Sequence, residues 1–404
     1  MSGASAQTTG PLAGLRVIEM GTLIAGPFCG QLLGDLGAEV IKIEPPGKGD
    51  PMRQWGQVKQ DGRSYWWSVI GRNKKSVTLN LREKEGQDLA RKLISSADVV
   101  IENFRPGTME KWGLGWDDLS KDNAGLVMVR ISGYGQNGPY SNRAGFGAIG
   151  EAMGGLRYIA GDPDRPPVRV GISIGDSLTA TFGALGCLAA LRERDRTGRG
   201  QIVDSALYEA VLAMMESLVP EYCGAGYQRE RSGPILPKVA PSNVYPCADG
   251  LNVLIAGNQD TVFARLTAAM GQAELAEDPR YATHIARGEH QAELDQIVAN
   301  WTGTLTSDEL LSILEEAGVP AGKIYRVEDM IRDPHFKARE ALVDVETPGL
   351  GAVTMQNVVP KLSETPGSVR AAAPELGADT EYILQQTLGL ADDRVSQLRA
   401  DGII

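Results

Sequence analysis

Residues 15–44, LRVIEMGTLIAGPFCGQLLGDLGAEVIKIE, decide the fold of this protein. Residues 15–20 and 40–44 are short apolar runs of the kind that form buried β-strands. Between them, residues 25–30 predict a turn of small residues, and residues 31–36 predict a helix. A strand, a helix and a second strand within about thirty residues form a βαβ unit, whose strands pair in parallel through a right-handed crossover.

The same alternation continues along the first third of the chain. Residues 76–80, 98–101 and 126–131 predict further strands, and residues 86–96 predict a helix. Such alternation is typical of an α/β domain with a doubly wound sheet. The glycines after the first strand, Gly21 and Gly26, lack the spacing of a dinucleotide-binding loop, so the sequence gives little support for a dinucleotide cofactor.

The second half of the chain changes character. Long helical segments are predicted on both sides of residues 197–200, and residues 222–246 are rich in Gly, Pro and charge, which is typical of a linker. A small α+β domain is predicted at residues 247–325, with a strand at 251–256 and a helix at 307–317. Residues 326–404, with strands near Val343 and Val353 and a helix at 381–389, could return to the first domain at residues 11–221. Residues 1–10 predict a disordered tail.

Composition excludes several classes of protein. The 404 residues carry a net charge of −11, which argues against a nucleic-acid-binding protein because phosphate neutralisation needs clustered Lys and Arg. Four scattered cysteines and only three histidines predict neither a metal site nor a histidine-based triad. The chain has no basic, apolar leader and no run of ~20 apolar residues, so we expect a cytoplasmic protein without a membrane span.

Asp176 is the main candidate for a reactive group. Residues 171–178, GISIGDSL, place it after a glycine and at the start of a helical pattern formed by Leu178, Phe182, Leu185 and Leu188. Backbone N–H groups and the dipole at a helix N-terminus favour an ionised carboxylate there. Asp is also a preferred N-cap, so a purely structural role as a helix cap is the alternative.

Four further motifs lie where a ligand could bind. Residues 102–107, ENFRPG, follow a predicted strand, and open α/β sheets bind ligands along that edge, where Arg105 could reach a phosphate. Residues 133–139, GYGQNGP, predict a flexible loop with side-chain donors or a plain turn. Residues 72–75, RNKK, are a basic cluster, which is usually a solvated surface. Residues 257–259, GNQ, directly follow a predicted strand and could be a turn or a lid.

Together these motifs resemble those of the class III CoA-transferases, the CaiB–BaiF family, from about Pro11 to the end of the chain. Each motif is modest alone, but their order along the chain is specific. The segments that carry the resemblance are PLAGLRVI (11–18), AGP (25–27), GDLGAEVIKIE (34–44), RNKKS (72–76), ENFRPG (102–107), SGYGQNGP (132–139), GD (175–176), TGRGQ (197–201) and GVPAG (318–322).

The resemblance implies a fold, an assembly and a catalytic residue. Family members have a Rossmann-like large domain formed by both chain ends and a small central α+β domain, and two subunits interlock as a homodimer. Asp176 matches the catalytic aspartate of the family. Coenzyme A and its acyl thioesters are then substrates, the second substrate is a small carboxylic acid, and neither a permanently bound cofactor nor a metal is implied.

The resemblance also implies where coenzyme A lies. Lys111 falls where a family arginine approaches a CoA phosphate, whereas Pro45 and Ser132 replace an arginine and a lysine of formyl-CoA transferase. The positions that match the CoA contacts of the family are Leu23, Ile24, Leu79, Asn80, Leu81, Arg82, Asn103, Phe104, Arg105, Ser132, Gly133, Tyr134 and Gly135.

The chemistry implied by the resemblance is transfer through an acyl-aspartyl anhydride. A carboxylate nucleophile suits it because an anhydride retains the activation of the thioester, whereas a serine ester would lose it. Backbone N–H groups near Gly175 could stabilise the oxyanions. The candidate lid that keeps water from the anhydride consists of Gly257, Asn258 and Gln259.

Two other functions fit the same fold. An α-methylacyl-CoA racemase needs a second acid–base group, usually a histidine, at a position that falls in residues 143–147, RAGFG, where Phe146 cannot transfer a proton. A non-catalytic acyl-CoA-binding protein would not need Asp176.

Among transferases the sequence is most similar to the succinyl-CoA-dependent dicarboxylate branch. We therefore expect succinyl-CoA as donor and a short dicarboxylic acid as acceptor, with Arg53 and Lys238 as candidate ligands of the distal carboxylate.

Overall fold

The structure, a computed structural model, describes residues 9–404, and residues 1–8 of the predicted tail lie outside the described part. The strands are β1 (Arg16–Glu19), β2 (Glu39–Glu44), β3 (Lys59–Gln60), β4 (Arg63–Ser64), β5 (Lys74–Thr78), β6 (Val99–Glu102), β7 (Val127–Ser132), β8 (Ile202–Ala206), β9 (Ser242–Pro246), β10 (Asn252–Ala256), β11 (Ala321–Lys323), β12 (Leu342–Thr347) and β13 (Gly351–Gln356). The α-helices are α1 (Ala25–Asp35), α2 (Tyr65–Ile70), α3 (Lys84–Ser95), α4 (Thr108–Lys111), α5 (Trp116–Asp122), α6 (Gly147–Met153), α7 (Leu156–Ile159), α8 (Ile174–Thr197), α9 (Leu207–Leu212), α10 (Leu218–Ala225), α11 (Asp260–Ala269), α12 (His284–Glu289), α13 (Gln291–Thr302), α14 (Ser307–Glu316), α15 (Val327–Arg332), α16 (Pro334–Ala338), α17 (Thr380–Leu388) and α18 (Asp392–Ala400). Two 3-10 helices also occur, at Pro51–Arg53 and Ala273–Ala276.

Six parallel strands form the central sheet, in the order β5-β2-β1-β6-β7-β8. Val17 of β1 lies opposite Val40 of β2 and Val99 of β6, which sets the register around the central strand. The chain runs from β1 outward through β2 to β5, and then from β6 outward through β7 to β8 in the other direction. The predicted α/β fold with a parallel sheet is therefore confirmed.

Helices cover both faces of this sheet because its strands direct apolar side chains to either side. On one face, Ile18 and Val100 belong to a core shared with α3 and with the helices α17 and α18 from the end of the chain. On the other face, Val17 and Val99 belong to a core shared with α1 and α8. The strand ends are thus held in place by helices from both layers.

Helix α8 carries Asp176 and packs against α1, β7 and β8. Its buried face consists of small residues such as Ala180, Ala184 and Cys187, whereas Leu185 of the predicted apolar stripe is 61% exposed. The length and apolar composition of α8 would suit a membrane span, a test that core helices of soluble proteins also pass. The packing of α8 against the sheet is that of a core helix.

Two local predictions are wrong. Residues 25–30 are not a turn but the start of α1, because Pro27 lies in the first helical turn, where its missing N–H needs no intrahelical partner. Residues 197–200 are followed by the strand β8 and not by a second long helix, because β8 completes the edge of the sheet beside β7.

The chain divides into two compact units. The larger unit contains the six-stranded sheet and comprises the described chain up to Leu156, Val170–Val219 and His335–Ile404. The smaller unit comprises Arg157–Arg169 and Pro220–Pro334 and is built on an antiparallel sheet in the order β11-β10-β9. Within the predicted linker at residues 222–246, β9 pairs with β10, so the end of that segment is part of a sheet.

Candidate active site

The candidate site lies where the sheet reverses direction. Strands β1 and β6 are neighbours, but their connections leave toward opposite edges of the sheet, so a crevice opens beyond their carboxyl ends. A cavity of about 240 Å³ lies there. It is lined by residues 22–25, 103–106, 131–133, 141 and 143–146, with Asp176 and Leu207.

Asp176 is the only carboxylate among the described residues that line this cavity. It is the third residue of α8, whose N-cap is Ser173, so Asp176 is not itself the N-cap residue. The carboxylate packs on Gly147, the first residue of α6, where an added Cβ would lie 2.7 Å from Asp176 Cγ. A Cβ on Gly175 would lie 2.9 Å from the Gly147 carbonyl oxygen. The two glycines therefore allow the starts of α6 and α8 to meet around one carboxylate.

The turn after β1, which forms one wall of the cavity, is held by two side chains. Asn103 accepts a hydrogen bond from the Thr22 N–H and donates one to the Thr22 carbonyl, both at 2.8 Å. Leu23 has a left-handed φ of 65°, and Asp50 Oδ1 accepts its N–H at 3.1 Å. Because a left-handed non-glycine residue costs about 1–2 kcal/mol, these hydrogen bonds are needed to keep the turn in place.

A buried network of charges supports the same turn. Lys42 Nζ lies 2.8 Å from Glu19 Oε1 and 2.9 Å from Asp50 Oδ2. It also donates to the Gly21 carbonyl at 2.7 Å, and Lys74 Nζ lies 2.6 Å from Glu19 Oε2. Burial alone would raise the pKa of Glu19, but the two lysines hold that pKa below its usual value. Removing Lys42 would take away the lysine that pairs with the buried Asp50 carboxylate, whereas Glu19 would keep Lys74 as a partner.

The basic residues 72–75 belong largely to this buried layer. Arg72 donates to both carboxylate oxygens of Asp35, at 3.1 and 2.6 Å, and Lys74 pairs with Glu19. The solvated surface predicted for this cluster is therefore wrong for Arg72 and Lys74, because each compensates a buried carboxylate. Neither side chain is free to bind a ligand.

The loop after β7 forms another wall of the cavity. Ser132 Oγ accepts the Gly135 N–H at 3.0 Å, which bends the chain away from the strand. The two ends of the loop meet at Gly133 and Gly145, and they can approach closely because neither residue has a side chain. A Cβ on Gly133 would lie 2.9 Å from Gly145 Cα. The chain reaches the cavity again at the end of this loop, where Arg143 and Gly145 form part of the cavity wall.

The cavity offers no second group for proton transfer at an α-carbon. Phe146 lines it in the segment where a racemase carries its histidine, and none of the three histidines of the chain, all within residues 9–404, lines it. In the same described residues no cluster of three or more His, Cys, Asp or Glu side chains could hold a metal ion. The lining therefore gives racemisation no support, and Asp176 stays the candidate for the reactive group.

The sequence matches CoA-transferase family III over residues 12–380. This chain belongs to that family. Succinyl-CoA--D-citramalate CoA-transferase of Chloroflexus aurantiacus is 59% identical over 98% of each chain. The beta subunit of Succinyl-CoA--L-malate CoA-transferase from the same organism is 45% identical over 98% of this chain and 99% of the relative. A crystal structure of a CAIB/BAIF family protein from Brucella suis has a TM-score of 0.83 at 35% identity, covering 94% of this chain and 100% of that one.

As a family III CoA-transferase, the protein is an enzyme of the predicted class. Of the predicted CoA contacts, the structure brings Leu23, Ile24, Asn103, Phe104, Arg105, Ser132 and Gly133 to the cavity. The others lie outside its lining: Tyr134 and Gly135 in the loop after β7, Leu79, Asn80, Leu81 and Arg82 after β5, and Lys111 at the end of α4. Leu79 is buried in the core, so its side chain presents no surface to a ligand.

The two cations predicted to bind a distal carboxylate already have acidic partners. Arg53 donates from Nε and Nη2 to the two carboxylate oxygens of Glu44, at 2.8 and 2.7 Å, and stacks on Trp67. Lys238, in the smaller unit, pairs with Glu289 at 2.9 Å. Their assignment as substrate ligands stays a prediction, and these contacts give it no support.

Residues 257–259, the predicted lid of the CoA-transferase, connect β10 to α11 in the smaller unit. The buried Arg287 donates to the Asn258 carbonyl at 2.8 Å and to Asp260 Oδ1 at 2.6 Å. His284 Nδ1 lies 3.2 Å from the same carbonyl. The backbone of this loop is therefore anchored within its own unit, and its role as a lid stays a prediction.

Gly147 and Arg143 belong to the site but were not predicted as site residues. Gly147 has no local signal, because its contact with Asp176 joins residues that are distant in the sequence. Arg143 could have been found, since it is a basic residue just after the loop motif at residues 133–139.

Proposed function

We propose that this protein transfers CoA from succinyl-CoA to a short dicarboxylic acid. The observation that carries the proposal is the single carboxylate, Asp176, in a cavity beyond the carboxyl ends of β1 and β6. The two relatives described above are named for transfer between succinyl-CoA and citramalate or malate, and both of these acceptors are dicarboxylic acids.

In the proposed mechanism, Asp176 attacks the thioester carbonyl of succinyl-CoA. The C–S bond breaks, CoA leaves as the thiolate, and a succinyl-aspartyl anhydride remains. The thiolate then attacks the aspartyl carbonyl, which releases succinate and leaves CoA as a thioester on Asp176. The acceptor carboxylate attacks this thioester, and the expelled thiolate attacks the acceptor carbonyl of the new anhydride, which yields the product and restores Asp176.

The surroundings of Asp176 suit this role. Its position in the first turn of α8 places it among N–H groups without intrahelical partners, which favour the carboxylate and can stabilise oxyanions formed on it. The carboxylate of Asp176 packs against Gly147, and this contact gives the carboxylate a defined position from which to attack.

In this proposal coenzyme A lies along the carboxyl ends of the strands. Arg105, exposed in the cavity wall just after β6, binds a phosphate, and Lys111, exposed on α4 of the same connection, provides a second positive charge. The turn at Leu23 and Ile24 contributes backbone groups to the same cavity.

We also propose that the enzyme is a cytoplasmic, interlocked homodimer whose small domain supplies the lid at residues 257–259. The large domain would comprise residues 11–221 and 326–404, and the small domain residues 247–325. Support for a subunit contact comes from apolar side chains on the surface of the larger unit: Phe146 is 65% exposed, Leu185 61% and Met214 51%. A subunit contact would remove such exposed apolar side chains from water.

Incubation with succinyl-CoA and hydroxylamine tests the mechanism. We expect mass spectrometry to find a hydroxamate at Asp176, and the variant Asp176→Asn to lose transfer activity by at least about 10⁴-fold. Asp195→Asn is the matched control, because Asp195 is an exposed carboxylate near the other end of α8. Full activity of Asp176→Asn would disprove the mechanism, and transfer only to monocarboxylates would disprove the proposed substrate class.

A further inference from the structure

Two arginines, Arg105 and Arg143, share the cavity wall with Asp176. Within residues 9–404, neither guanidinium lies within ion-pair distance of a carboxylate. This differs from Arg53 and Arg72, which are both paired with buried acids. A cavity wall with two unpaired cations and one carboxylate is suited to a substrate that carries several negative charges.

Arg143 is held by stacking on one aromatic ring. The guanidinium carbon of Arg143 lies 3.7 Å from the centre of the Tyr140 ring, and the backbone N–H of Arg143 donates to the Tyr140 carbonyl at 2.8 Å. Tyr140 in turn makes an edge contact with Tyr134 at 6.0 Å between ring centres. Because a stacked guanidinium keeps its N–H edges free, Arg143 can still bind a carboxylate through two parallel hydrogen bonds.

Arg143 and Arg105 approach the cavity from different segments. Arg105 follows β6, where the proposed phosphate contact lies. Arg143 is four residues before Gly147, which packs against the carboxylate of Asp176. Arg143 is therefore close in the sequence to a residue that contacts the proposed nucleophile. The acyl group of the substrate must extend from Asp176, and of the two arginines Arg143 belongs to the segment that leads to the contact with Asp176.

We propose that Arg143 binds the distal carboxylate of the succinyl group and of the dicarboxylic acceptor. This inference rests on the proposed function. The exposed guanidinium of Arg143 can pair with an acyl group that ends in a carboxylate, whereas a monocarboxylic acyl group places a methyl there and makes no such pair. Arg143 is therefore a specificity-determining residue for dicarboxylates.

Equilibrium binding to the variant Asp176→Asn tests this assignment, since the bound thioester is not consumed. Isothermal titration calorimetry would measure the Kd of succinyl-CoA, butyryl-CoA and CoA with and without the second substitution Arg143→Gln. We expect Arg143→Gln to raise the Kd of succinyl-CoA about 10- to 100-fold and to change the other two by less than about twofold. The control is Arg199→Gln, an exposed arginine just beyond the far end of α8.

Each outcome decides the question. An equal loss of affinity for all three ligands would mean that Arg143 binds a CoA phosphate, and unchanged affinity for succinyl-CoA would also overturn the proposal. Tyr140→Leu provides a second variant that keeps the charge but removes the stacking, and we expect it to weaken succinyl-CoA binding about threefold. If the wild-type enzyme does not turn over succinyl-CoA at all, the proposed function fails, irrespective of the result for Arg143.

Discussion

The substitution Gly147→Ala tests how strongly catalysis depends on the position of the Asp176 carboxylate. Gly147 does not have a positive φ, so its backbone accepts alanine without strain. The three atoms nearest to an added Cβ all belong to the carboxylate of Asp176. Because that carboxylate is the end of a side chain that can rotate, we expect the fold to tolerate the substitution while the reactive group is displaced.

The size of the displacement follows from the structure. The added Cβ would lie 2.7 Å from Asp176 Cγ, whereas ordinary contacts begin at 3.4 Å. The carboxylate must therefore retreat by roughly 1 Å, and a misplacement of that size costs about 10²-fold in rate. In terms of the activation barrier this is about 2.7 kcal/mol. We expect kcat to fall by this factor and the KM for CoA thioesters to change little.

Initial rates of CoA exchange, measured beside the Tm of each variant, separate this effect from a loss of stability. Gly150→Ala is a control on the same helix, because its Cβ would lie 2.6 Å from Leu207 Cβ, and we expect a lower Tm. Gly224→Ala meets open space and should change neither property. A Gly147→Ala enzyme with wild-type kcat and wild-type Tm would refute the reasoning.

Three further predictions concern the buried charges and the turn beside the cavity. Lys42→Met should lower the free energy of unfolding by about 3–5 kcal/mol in urea titrations, because the buried Asp50 carboxylate loses its lysine partner. The exposed control Lys84→Met should cost less than about 1 kcal/mol. Asn103→Ala should raise the KM for succinyl-CoA several-fold, because it releases the Thr22 turn, and an unchanged KM would contradict this. Burial tends to raise the pKa of Glu44, but Arg53 and Lys42 hold it below its usual value. Its stabilising effect is therefore present above about pH 4.3 and lost below it, so the wild type and Glu44→Gln should converge in unfolding free energy as the pH falls through that range.

Much of the large unit could be predicted from the sequence because its signals are local. The runs at residues 15–20 and 40–44 became β1 and β2, and the helical pattern after Asp176 became α8. The errors arose where a local signal was overridden by tertiary contacts. Residues 202–206 form an edge strand because β7 offers a partner, and the basic residues at 72 and 74 are buried because acids from other elements meet them.

By itself, the sequence determined the class of fold, the family and the identity of the candidate nucleophile, because apolar periodicity and the order of motifs are properties of the chain alone. Only the tertiary structure decided what surrounds Asp176. It placed Gly147 behind the carboxylate and Arg143 in the same cavity wall, and it showed that Arg53 is occupied by Glu44. These relations join residues that are far apart in the chain, and their distances are set by how helices and strands pack.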